Sequence, residues 1–110
     1  MKKVIEIFRS REELDRLVNT PNTKYKSGIR NRAILSVLCY AGLRVSELTN
    51  LKLSDIQKKD SAIRVNNTKK DSSRIVYVPD YLFHYIDKWK EIRPNSKYLF
   101  CSRNGLLVLT

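Results

Sequence analysis

The stretch Ala41-Gly42-Leu43-Arg44-Val45-Ser46-Glu47-Leu48-Thr49-Asn50-Leu51 decides how this chain is read. A long apolar segment of helical periodicity runs up to it. Gly42 stands where that helix should stop, because glycine enters the left-handed conformation of a C-terminal cap without steric cost. A second, short helix is predicted over about Val45 to Leu51, which puts Arg44 at its N-terminus beside free backbone N–H groups. Those groups and the helix dipole favour an anion, and a guanidinium beside them can grip a phosphate through two parallel hydrogen bonds. Glu47 is one turn along the same helix and is placed to orient Arg44. Local chemistry also fits a different reading, in which Arg44 and Glu47 form a buried ion pair that merely fixes the helix corner.

On the N-terminal side, Ser10-Arg11-Glu12-Glu13 reads as a capping box, and Leu14, Leu17 and Val18 give the helix behind it one apolar stripe. Thr20-Pro21-Asn22-Thr23 ends that helix. From about Ile29 to Ala41 the residues Ala33, Ile34, Leu35, Val37, Leu38, Cys39 and Tyr40 cover most of a helix circumference, which predicts a helix in the centre of the domain. On the C-terminal side, Leu53-Ser54-Asp55-Ile56 leads to a polar turn at Lys58-Lys59-Asp60. Ala62 to Val65 and Arg74 to Val78 read as paired strands, joined by a polar loop that carries Lys69 and Lys70. Asp80 is placed to cap a further helix, in which Leu82, Tyr85, Ile86 and Trp89 form the buried stripe. Pro94-Asn95-Ser96 stops it. Tyr98 to Cys101 reads as a short strand, and Asn104-Gly105 as a tight turn that folds Leu106 to Leu109 back as another.

Length and composition bound the rest. A chain of 110 residues is one domain by the usual size prior, with 42% hydrophobic and 30% charged residues. No apolar run approaches the length of a membrane span, and the first residues do not read as a signal peptide. Cys39 and Cys101 are too few for a disulfide framework and are expected to be reduced and buried, which points to the cytoplasm. Bases outnumber acids by 22 to 11, a net charge of +11. The surplus is spread along the chain, with 11 bases against 6 acids through Asp55 and 11 against 5 after it. A polyanion, and nucleic acid first, suits that balance.

The order of these elements resembles the tyrosine recombinases, the phage integrase family. That family has a helix with a basic start, here Ile29-Arg30-Asn31-Arg32-Ala33-Ile34-Leu35, running into a G-L-R-x-S-E-L motif, here Gly42 to Leu48. A leucine-containing segment ending in Asp-Ile follows, here Leu51-Lys52-Leu53-Ser54-Asp55-Ile56. Then comes a β-hairpin with a loop lysine, here Thr68 to Arg74, with Val78-Pro79 at its exit and Leu99-Phe100 beyond. The resemblance covers nearly the whole chain. It implies an α+β fold, mainly helical with a small antiparallel sheet, and a single domain over residues 1–110.

The resemblance also implies roles. Arg44 would stabilise the non-bridging oxygens of a scissile phosphate, Lys69 would protonate the leaving 5′-hydroxyl, and Glu47 would support Arg44. Lys70 fits the role of Lys69 less well. Duplex DNA would be the partner, contacted by Arg44, Lys69, Lys70, Arg74, Arg30 and Arg32, with no metal, cofactor or membrane involved. The family's His-x-x-Arg element and tyrosine nucleophile have no match here. His84, the one histidine, begins His84-Tyr85-Ile86-Asp87 and is expected to be an ordinary helix residue, while Tyr40, Tyr77 and Tyr85 are expected in core or sheet packing. The expectation is a truncated catalytic domain, its N-terminal half, from an enzyme of DNA integration and site-specific recombination, inactive as this chain. Self-association through Leu106 to Leu109, or association with an intact recombinase, is a further expectation. A small non-catalytic nucleic-acid-binding regulator and a docking module for an intact recombinase are the alternatives.

Overall fold

The apolar segment before Gly42 forms the central helix. In the computed structural model, which describes residues 10–67 and 72–100, α2 (Lys26–Ser36) continues into a π-helical turn over Val37–Ala41. The helix starts a turn earlier than its apolar pattern suggests, since Lys26 and Ser27 are solvent-facing and carry no apolar signal. Gly42 ends it in the left-handed conformation, at φ 67° and ψ 32°. Ahead of it, α1 (Arg11–Val18) is capped by Ser10, whose Oγ accepts from the Glu13 backbone N–H at 3.1 Å. Leu14 and Val18 of α1 pack on Cys39. Burial pushes the Cys39 thiol up to about 11, so it stays protonated at neutral pH.

After Gly42 the chain makes α3 (Val45–Thr49) and a 3₁₀ turn at Leu53–Asp55. A three-stranded antiparallel sheet follows, ordered β1 (Ile56–Gln57), β2 (Ala62–Asn67), β3 (Ser72–Tyr77). The strand β1 is absent from the sequence reading because two residues carry no periodicity. Asp55 explains the Asp-Ile segment after Leu53. Its buried carboxylate accepts from the Lys52 backbone N–H at 2.9 Å and from Asn66 Nδ2 at 3.2 Å, tying the 3₁₀ turn to β2.

In the β2–β3 register Ile63 faces Val76 and Val65 faces Arg74. Ile63 and Val65 are buried, so period-2 alternation turns Arg64, Ile75 and Tyr77 to the opposite face. Tyr77 is 77% exposed, which corrects the expectation of sheet packing: β3 is an edge strand, and Tyr77 projects from it into solvent.

The last helix, α4 (Leu82–Lys90), buries Leu82, Phe83, Ile86 and Trp89 against α2; Phe83 lies outside the expected stripe, and Tyr85, which belongs to it, is only half-buried. Asp80 does not cap it. The N-cap position falls on Tyr81 without a side-chain bond, and the Asp80 carboxylate accepts from the Ser61 hydroxyl at 2.5 Å instead. Helix formation begins through backbone bonds from Leu82 N–H to Pro79 O and Phe83 N–H to Asp80 O, which leaves the Asp80 side chain free for Ser61.

The expected strand at Tyr98 reduces to one bridge opposite Lys52, although Leu99 and Phe100 are fully buried. Side chains occupy the carbonyls that a strand would offer to a neighbour. Trp89 Nε1 donates to Leu99 O at 2.7 Å, and the Arg93 guanidinium donates to Tyr98 O at 2.6 Å and to Ser96 O. Cys101, Asn104-Gly105 and Leu106 to Leu109 lie outside the described residues. Among the described residues no helix is long and apolar enough to cross a membrane.

One glycine is needed for close approach. A Cβ on Gly28 would stand 1.8 Å from the carbonyl oxygen of Asn22, where the loop before α2 crosses its first turn. Backbone cannot yield as a side-chain tip does. Gly28→Ala is expected to destabilise by about 1–3 kcal/mol, read as a fall in the urea midpoint at unchanged slope.

Candidate functional site

Arg44 is held from both sides. Leu43 before it and Leu48 after it are each 0% exposed, while the Arg44 side chain is exposed. Its backbone is extended, at φ −82° and ψ 157°, as an N-cap residue requires, and its carbonyl accepts from the Leu48 N–H at 3.0 Å. The guanidinium therefore leaves a fixed backbone and points to solvent. The helix behind it has five residues, so its dipole is small and the arginine itself supplies the charge.

Glu47 orients this corner, though not by pairing with the Arg44 guanidinium. Arginine has no acceptor, so only the return half of a capping box can form: Glu47 Oε1 accepts from the Arg44 backbone N–H at 2.9 Å. The charge partner of Glu47 is Arg74, whose Nη1 lies 2.5 Å from Oε2 and Nη2 3.3 Å from Oε1. The closed Arg44–Glu47 ion pair is thus not formed. Arg74 reaches Glu47 because it shares the inward face of β3 with Val76, opposite Val65. The pair brings Arg44, Glu47 and Arg74 together from two elements distant in sequence. Sequence spacing could not have found it, since it depends on which face of β3 Arg74 takes.

Burial alone would push the Glu47 carboxyl up. The hydrogen bonds from Arg74 and from the Arg44 N–H outweigh it, and the net position is below the usual glutamate range. The hydrogen bond to Glu47 raises Arg74 in turn. A second depressed carboxyl is Asp15, lowered chiefly by the hydrogen bond from the Tyr40 hydroxyl at 2.5 Å. A carboxyl depressed by folding contributes stability above its unfolded pKa and loses it as pH falls through the folded one. Stability should therefore be level near neutral pH and fall in acid below about pH 4.5, the region of free carboxylates. Urea unfolding across pH should show this, and Glu47→Gln should flatten part of the acid limb.

The other sequence-predicted residues are placed differently. Lys69 and Lys70 fall in residues 68–71, outside the described residues; the last described pair before them is Asn67–Ser72. Arg30 is half-buried and bonds Asn31 Oδ1. Arg32 is also half-buried, its guanidinium carbon 5.1 Å from the Tyr85 ring centroid. That contact belongs to an aromatic group in which Tyr40 meets Tyr81 edge-on at 4.9 Å and Arg11 lies 4.4 Å from the Tyr81 ring. His84 is exposed on α4, against Tyr85. The sequence reading missed an open recess of about 360 Å³ lined by Lys52, Leu53, Ser54, Ser96 and Lys97, formed where the Lys52–Tyr98 bridge joins two distant segments.

The sequence model of the phage integrase family matches residues 8–107. The tyrosine recombinase XerA of Thermococcus onnurineus (strain NA1) is 40% identical over 92 residues, which are 82% of this chain and 31% of that protein. The crystal structure of XerA recombinase superposes with a TM-score of 0.72 at 33% identity, over 90% of this chain and 36% of that one. The XerH site-specific recombinase, solved bound to its difH substrate in a pre-cleavage complex, shares the fold, with a TM-score of 0.73 at 22% identity over 91% of this chain and 31% of that one. The chain spans about a third of the length of the relatives it matches. With its fold, its Gly42-to-Leu48 corner and these likenesses taken together, the chain belongs to the phage integrase family, the tyrosine recombinases.

Proposed function

We propose that this chain is the part of a tyrosine-recombinase catalytic domain that grips the DNA phosphate backbone and supplies the first catalytic arginine in site-specific recombination. The observation that carries this reading is Arg44, exposed between two fully buried leucines with its backbone locked by Glu47. A phosphoryl-transfer site needs such a preorganised positive group, since most of its catalysis is charge stabilisation. Lys69 would be the general acid in the same site, and the basic surplus of +11 would supply the wider hold on duplex DNA. The place of action is the cytoplasm, where such DNA is found. Without a tyrosine nucleophile and a His-x-x-Arg element, this chain should bind DNA and not cleave it.

Fluorescence anisotropy with a labelled duplex across a salt series tests the binding. Affinity should fall linearly in log–log form with added salt, at roughly 0.9 per phosphate contact. A nicked suicide substrate followed by denaturing electrophoresis tests the chemistry. No covalent adduct should appear, and an adduct would mean that a nucleophile has been overlooked.

The outward face of β3 favours an added role in association. Tyr77 at 77% and Ile75 at 43% exposure sit on a strand with a partner on one side only among the described residues. We infer that copies of the chain pair along this strand, so light scattering should show a mass that rises with concentration, and Tyr77→Lys should hold it at the monomer value.

A further inference from the structure

We infer that Arg74 is a positioning residue for Arg44, acting through Glu47, rather than a direct contact to the DNA backbone. The inference rests on the proposed role of Arg44. Its resemblance-based role and its place in a basic protein both cast Arg74 as one more phosphate contact. The geometry gives it another task.

Both terminal nitrogens of Arg74 are directed at Glu47, at 2.5 and 3.3 Å, in the fork arrangement that arginine makes with a carboxylate. The Glu47 side chain is only 10% exposed, whereas that of Arg74 is 44% exposed. A carboxylate so enclosed needs its charge answered, and Arg74 is the cation that answers it. The same carboxylate holds the Arg44 N–H. Glu47 thus has one oxygen on the backbone of the proposed phosphate-binding residue and both oxygens toward the guanidinium on β3. Five residues of helix offer little rigidity of their own. The corner is instead braced across to the sheet, and the brace ends at the residue whose side chain must be held still. Removing Arg74 leaves a charged, enclosed Glu47 that must turn toward solvent, and the Arg44 N–H loses its partner as it does.

The two roles predict opposite signs for one substitution. Glu47→Gln removes an acid from a basic protein. If this surface acts only through net charge, or if Arg74 is a phosphate contact held back by Glu47, duplex binding becomes tighter. If Glu47 and Arg74 brace Arg44, binding weakens severalfold despite the gain in net positive charge. A cycle of Arg44→Ala, Arg74→Ala and the double variant gives a second reading. A brace acting through Arg44 has nothing left to position once Arg44 is gone, so the double variant should bind within about twofold of Arg44→Ala. Losses that multiply across the cycle overturn the inference, as does tighter binding by Glu47→Gln. Arg74→Lys restores the charge without the fork and should recover part of the affinity.

The brace is also read without DNA. Carbon-detected titration of the Glu47 carboxyl and the Arg44 amide resonance in the intact chain should both move in Arg74→Ala and return partly in Arg74→Lys. Unchanged Glu47 titration and an unchanged Arg44 amide overturn the inference. If the wild-type chain fails to bind any duplex, the functional reading is what has failed, and these resonances still decide whether the brace exists.

Discussion

Trp89→Ala is expected to cost about 3–5 kcal/mol, a large fraction of the chain's stability. Trp89 is 4% exposed, in the main core with Leu82, Phe83 and Ile86 of its own helix and Leu99 and Phe100 from the chain beyond. Alanine would leave a void of indole size between α4 and that segment. It would also remove the donor to Leu99 O, leaving that carbonyl to Arg93 Nε at 3.4 Å. A domain of this size has roughly 0.05–0.15 kcal/mol of stability per residue, so the loss takes a large fraction of the whole. Circular dichroism during urea titration would show a much lower midpoint at unchanged slope. Trp89→Phe keeps most of the ring and should give a smaller loss, which separates packing from the hydrogen bond.

Arg44→Ala is expected to lower duplex affinity by about tenfold or more, the value of a charge-assisted contact of about 1.5–3 kcal/mol. Its effect on stability should stay within about 0.5 kcal/mol, because the side chain is exposed and makes no ion pair among the described residues. The comparison is with removal of an ordinary exposed lysine such as Lys88 on α4, which should weaken binding much less. Arg44→Lys should recover only part of the loss, since a lysine offers a point charge where arginine offers a fork. Equal losses for Arg44→Ala and Lys88→Ala would reduce the protein to a generic basic surface. A large loss of stability in Arg44→Ala would make Arg44 a structural residue.

The contrast between Arg44 and Arg74 shows what can be read from a chain. Both are arginines in matched family segments, and both were given DNA contacts on that ground. Arg44 is legible because its neighbours settle its surroundings: Gly42 ends a helix, Leu43 and Leu48 are anchors, and Glu47 is one turn away. Arg74 is not legible, because its partner lies 27 residues away. The same distinction separates Gly42, read correctly as a cap, from Gly28, whose need for a bare Cα arises from a loop that crosses over it.

The sequence by itself determined the helices, the hairpin and the cap at Gly42, and its resemblance to a known family pointed to that family. The local elements follow from periodicity and short-range chemistry, which act between residues a few positions apart. Only the tertiary structure decided that Glu47 pairs with Arg74, that Asp80 bonds Ser61 instead of capping α4, that Tyr77 faces outward, and that the segment at Leu99 is held by Trp89 and Arg93 beside a single backbone bridge. Each of those is a choice among several partners of similar local merit. A carboxylate accepts from whichever donor the fold brings within about 3 Å, and that is settled by how helices and sheet pack over a shared core.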